Sequence, residues 1–226
     1  MTLPALCPGL TCALLLSASC TPAEPPPSWP EGTVLALDGV PIDGAWVGEC
    51  ADLLANVEPA ASPNQRKRLA LTNLIFPLMA SRKLNPERRT ANAELAAEYL
   101  VELSSGAENF DGPVVGPRLR TVTGGLTELG LVAWGRSWNM ELGEWSPVCE
   151  SIGTFEVFQL VDRQDGALPG QVRFTVNLVE FPWLDPQAPR IEVETVLDAS
   201  RLTIVDPAWN QIVPGFWRHR LGVRQP

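Results

Sequence analysis

Val172, Phe174, Val176 and Leu178 alternate with Arg173, Thr175 and Asn177, the period-two pattern of a strand with one buried face. Gly130 to Trp134 and Thr154 to Val161 read as strands of an apolar, aromatic-containing sheet, and Ile191 to Val196 and Leu202 to Val205 as two more. Earlier in the chain the pattern is helical. Thr33 to Leu37 predicts a strand, Asp38-Gly39 a tight turn and Val40 to Ile42 a short return strand, after which Asp43 caps a helix over Gly44 to Asn56. Ser62, Pro63 and Gln65 combine a capping side chain, a proline at the first helical position and a capping box. The helix they start carries Leu69, Leu74, Ile75, Leu78 and Met79, and Pro77 kinks it. Asn85-Pro86 starts a third helix with Ala91, Leu95, Tyr99 and Leu103 in a stripe, and Gly106 stops it. Ala107 to Thr127, rich in Gly and Pro, reads as loop. Helices first and strands after is the α+β pattern.

Charge narrows the partners. A net charge of -9 argues against nucleic acid, which needs a basic surface, while 45% hydrophobic residues supply a core. The C-terminus is a local exception, with Arg218, His219, Arg220 and Arg224 close together, read as a solvated tail. One histidine and no close cysteine pair beyond the leader suggest no metal site, and no nucleotide, hydrolase or other cofactor motif occurs.

The first residues read as a targeting segment. Met1 to Ser19 hold no charge, and the apolar run Leu10 to Leu16 is far short of the roughly 20 residues a bilayer span needs. Ser17, Ala18, Ser19, Cys20 and the proline-rich stretch to Pro30 resemble the lipobox and tether of bacterial lipoproteins. That resemblance implies a signal peptide over residues 1–19, lipid on Cys20 and a tether over residues 20–32. It also implies the periplasmic side of the cell envelope, and Thr21 in place of an inner-membrane Asp points to the outer membrane. The alternative is an ordinary cleaved signal peptide with Cys20 incidental. Cys50 and Cys149 then remain, as a disulfide in an oxidising compartment or as two buried free thiols.

Two stretches resemble parvulin-type periplasmic folding factors of the SurA/PrsA kind. "VLALDGVPI", a helix and then "LTNLIFPLMASRKL" are similar to the N-terminal chaperone module, giving a SurA-like helical module over residues 33–106 with a small β-hairpin. "GGLTELGLVAWGR" followed by "LGEWSPVCESIGTFEVFQLVDR" resembles the second half of a parvulin isomerase domain, giving a parvulin-like antiparallel sheet over residues 107–170. "ASRLTIVDPAW", within the C-terminal strands and tail of residues 171–226, resembles the strand that returns to the N-terminal module.

Parvulins carry one histidine on the first strand of the domain and one on the last, and here both are missing. Glu156 stands at the last-strand position, and no room for the first strand exists before the third helix. Val172 to Trp183 resembles that strand but follows the domain, so it is either the first strand in a rearranged order or an ordinary strand. Trp134, Met140, Phe155 and Phe158 are the candidate client contacts, Met140 as the resemblance's pocket residue and Trp134 as an aromatic that also reads as core. The expected function is an anchored folding factor or chaperone for extended or partly folded polypeptides, with a peptidyl-prolyl isomerase-like domain lacking its catalytic residues. An active isomerase with an atypical site and an assembly lipoprotein with one fixed partner are the alternatives.

Overall fold

The computed structural model describes residues 28–105, 118–185 and 189–223. The expected signal segment, Cys20 and most of the tether lie outside the described residues. No helix among the described residues is long and apolar enough to cross a membrane.

The chain is mixed α+β with two antiparallel sheets. Strands β1 (Thr33–Leu37) and β2 (Val40–Asp43) form a hairpin, because Asp38 and Gly39 both adopt positive φ, the geometry of a tight two-residue turn. Asp43 then caps helix α1 (Gly44–Leu53), its carboxylate accepting the Ala45 N–H at 2.6 Å. Ser62 and Gln65 make the reciprocal capping box of α2 (Pro63–Ala70). A π-helical turn at Leu71–Ile75 follows, and α3 (Phe76–Ser81) continues it. Pro77 accounts for the wide turn: its ring would clash with a carbonyl four residues back, and the extra residue moves that carbonyl aside.

Helix α4 (Pro86–Ser104) buries Ala96 and Tyr99 and leaves Ala91 exposed, so the expected stripe is rotated slightly. After it come β3 (Arg120–Gly124), α5 (Leu126–Ser137), β4 (Cys149–Ser151), β5 (Thr154–Gln164) and β6 (Arg173–Pro182). The chain ends with α6 (Pro189–Ala199), β7 (Leu202–Ile204) and α7 (Gly215–Arg220).

Three expectations are corrected. Gly130 to Trp134 lies in α5, not in a strand. Its helix is bent at Gly130, whose φ of 75° and ψ of 166° are open only to glycine. Ile191 to Val196 is helical in α6, with Val193 and Leu197 on the core four residues apart and Ile191 exposed. Strand β3 lies within the stretch read as loop.

The small sheet has the order β2-β1-β7, so the C-terminal strand pairs with the first one. The large sheet has the order β3-β6-β5-β4, with β6 between β3 and β5. Side chains alternate faces along a strand, and the two faces of this sheet hold different helices. Phe155 and Phe181 lie on the face covered by α4, where Tyr99 meets Phe181 edge-on at 5.3 Å. Phe158 and Phe174 lie on the other face, under Trp134 and Trp138 of α5 and the residue after it. The buried residues of both sheets belong to one hydrophobic core.

Candidate functional site

The β4–β5 hairpin sets the first part of the site. Gly153, at φ 82°, turns the chain so that Cys149 pairs with Glu156 and Ser151 with Thr154. On the next strand Glu180 is the partner of Glu156. Cross-strand partners share a face, so Cys149, Glu156 and Glu180 form a row on the side that α5 covers. Ser151 Oγ donates to Glu156 Oε1 at 2.8 Å, and Arg120 of β3 holds Glu180 in an ion pair of 2.5 Å.

Glu156 is 8% exposed, and its Oε2 is buried without a partner among the described residues. Burial pushes its carboxyl up to about 7; the neighbouring Glu180 charge adds to the rise, while the Ser151 bond opposes it. Below that pH Glu156 is neutral. In that form the group carries a proton and is a hydrogen-bond donor. This changes the chemistry expected of Glu156 at the histidine position, since an ionised carboxylate has no proton to donate.

The second part is a partly enclosed cavity of about 120 Å³ between α1, α3, α5 and β4. Cys50 and Leu53 line it from α1, Leu74 and Leu78 from the π turn and α3, and Val132 from α5. Trp46, Arg82, Arg136, Val148, Cys149 and Glu150 complete the lining. Glu150 accepts two bonds from Arg82, at 3.1 and 2.6 Å, and one from Arg89 at 2.8 Å. This clamp ties the ends of α3 and α4 to the large sheet. Arg82 also lies 5.2 Å over the Trp46 ring, and Arg89 lies over Phe155 and Trp183.

The disulfide alternative is not formed: Cys50 and Cys149 are free, buried thiols on the same cavity. Burial pushes Cys50 up to about 12 and Cys149 up to about 11, with Arg136 opposing the rise at both. At neutral pH both are thiols rather than thiolates, so neither is a nucleophile or a ready metal ligand. Among the described residues no group of three or more His, Cys, Asp or Glu is placed to hold a metal.

The expected client contacts are not brought together. Trp134 is fully buried, donating its indole N–H to the Val172 carbonyl at 3.1 Å. Phe158 is fully buried on the α5 face and Phe155, 5% exposed, packs on Trp183 on the opposite face, so the two cannot share a groove. Met140 is half-buried against the core. Sequence reasoning missed Ser151, Glu180, Arg120, Arg82 and Arg136. Glu180 carried a readable signal: it interrupts the apolar set Phe174, Val176 and Leu178 with a charge at the next inward position. The chain matches no family model, no curated protein and no solved structure.

Proposed function

We propose that the protein is an envelope-anchored folding factor that binds extended or partly folded polypeptides, with a parvulin-like sheet whose isomerase residues have been replaced. One observation carries the reading. Strand β6, which covers the segment resembling the missing first strand, lies directly beside β5, and Glu180 stands opposite Glu156. The two positions that parvulins fill with histidines would thus be neighbours here and hold two glutamates. The pairing of β7 with β1 supports the same reading, since the resemblance expects a C-terminal strand to return to the N-terminal hairpin.

Binding rather than turnover is favoured because Glu156 is covered. A client bond could reach Oε2 only if the packing around it opened. For the binding itself, β3 is an edge strand of the large sheet, paired only with β6 among the described residues. An extended polypeptide can add a strand to such an edge through main-chain hydrogen bonds. Leu119, immediately before β3, is an exposed apolar residue that can meet a side chain of the added strand.

A second reading, residual isomerase activity, has one observation in its favour: neutral Glu156 carries a proton to donate to a twisted amide. The test is to assay the full chain for prolyl-peptide isomerisation from pH 5 to 8, beside its ability to suppress aggregation of an unfolded protein. Suppression without isomerisation is the expected result. Isomerisation that fades above pH 7 and is lost in Glu156→Ala favours the second reading. Neither activity overturns both.

A further inference from the structure

We propose that the cavity between α1, α3, α5 and β4 binds a small apolar carboxylate, an aliphatic or aromatic group of ring size carrying one negative charge. The inference goes beyond the folding-factor reading and does not depend on it.

Size is the first argument. At about 120 Å³ the space is close to that of an apolar cavity of about 150 Å³ that holds a benzene ring. Leu53, Leu74, Leu78 and Val132 offer an apolar wall to such a group. The two thiols beside them are neutral, so they neither repel an anion nor compete for a cation.

Charge is the second. The chain carries -9 overall, yet this cavity is lined by two guanidiniums and one carboxylate. The carboxylate, Glu150, is already held by Arg82 and, from outside the cavity, by Arg89. That leaves Arg136, in the last turn of α5, without an ion pair among the described residues. Arg136 lines the same cavity as Cys50 and Cys149, and its charge opposes the rise of both thiols. An apolar group against the leucines with its carboxylate on Arg136 satisfies both halves of the lining, whereas a neutral ligand satisfies only one. A guanidinium binds a carboxylate through two parallel N–H donors, which is the geometry such a ligand provides.

The test uses the full chain, with phenylacetate as probe and phenylacetamide as its neutral twin. Calorimetric titration is expected to show phenylacetate binding roughly tenfold more tightly than the amide. Arg136 is exposed, so Arg136→Gln leaves the fold intact; it is expected to erase that preference while the amide binds as before. A second readout fixes the place: at pH 9, where a small thiolate fraction lets excess iodoacetamide react slowly, phenylacetate slows alkylation of both Cys50 and Cys149, and the amide does so only at higher concentration. Equal affinities, no binding of either probe, a preference that survives Arg136→Gln, or unprotected thiols would each overturn the proposal. Displacement of phenylacetate by a peptide ending in phenylalanine with a free carboxylate, but not by its amidated form, assigns the site to polypeptide chain ends. Protection by phenylacetate with no displacement by either peptide assigns it to free small acids.

Discussion

Glu156 of β5 stands directly across from Glu180 of β6, and the two carboxylates meet very different surroundings. Glu180 reaches Arg120 and its side chain is 40% exposed, whereas Glu156 has one hydroxyl donor and one oxygen with no partner among the described residues. A strand pair that places like charges side by side is destabilised unless one of them is neutral.

That relationship makes stability depend on pH. The Glu156 carboxyl is raised from 4.5 to about 7 in the folded protein, so between those values the fold holds a proton that the unfolded chain has released. Its contribution is therefore complete below about 4.5 and is lost as the pH rises through 7, roughly 3 kcal/mol at most. Glu156→Gln cannot ionise. Thermal unfolding at pH 5 and pH 8 is expected to show wild type losing ground to the variant at the higher pH, and parallel profiles would mean that Glu156 is charged and solvated in the fold.

The Glu150 clamp behaves in the opposite sense. Burial raises this carboxyl, but the Arg82 and Arg89 guanidiniums outweigh that and hold it below its ordinary value. Its stabilisation is present above the ordinary carboxylate range and drains away as the pH falls below it. The three side chains are partly exposed, so Glu150→Ala is expected to cost about 2 kcal/mol near neutral pH in urea unfolding. A loss that vanishes at pH 3 identifies the ion pairs, rather than packing, as its origin.

Gly130 gives a backbone test. A Cβ placed there meets nothing within 4 Å, so Gly130→Ala introduces no clash. Its φ of 75° and ψ of 166° nonetheless lie where side chains are strained, and the substitution is expected to cost about 1–3 kcal/mol. An unchanged unfolding midpoint would mean that α5 straightens without penalty.

The capping box at the start of α2 gives a fourth, local effect. Ser62→Ala leaves the Gln65 N–H without its acceptor and is expected to cost about 1 kcal/mol in denaturant unfolding, with the slope unchanged.

What the sequence made legible was mostly local. Asp43, Ser62 and Asn85-Pro86 mark helix starts where the structure has them, because a cap is a contact within a few residues and needs no distant partner. The strand misreadings came from short apolar runs, in which helix and strand periods cannot be told apart. In α5 the deciding signal was Glu128, whose carboxylate accepts from the Gly125 N–H at 2.8 Å, a helix-start contact across the end of the stretch read as loop. In α6 the alternation of Ile191, Val193 and the glutamates imitates a strand, while burial follows Val193 and Leu197. Most of the candidate site was hidden for a different reason. Glu180 faces Glu156, and Arg136 joins Cys50 and Cys149, only through pairings and packing between distant segments.

The pairing of β7 with β1 also sets the order in which the molecule can be finished. The N-terminal hairpin is synthesised first, yet Leu35, Ala36 and Leu37, paired on one side with β2, find partners on the other side only in Ile204, Thr203 and Leu202. Until the last part of the chain emerges, the hairpin keeps an open edge and an uncovered apolar face. The fold therefore contains its own check on completeness: a product that stops before Leu202 leaves its first sheet unclosed, a form suited to recognition by quality-control proteases rather than to accumulation.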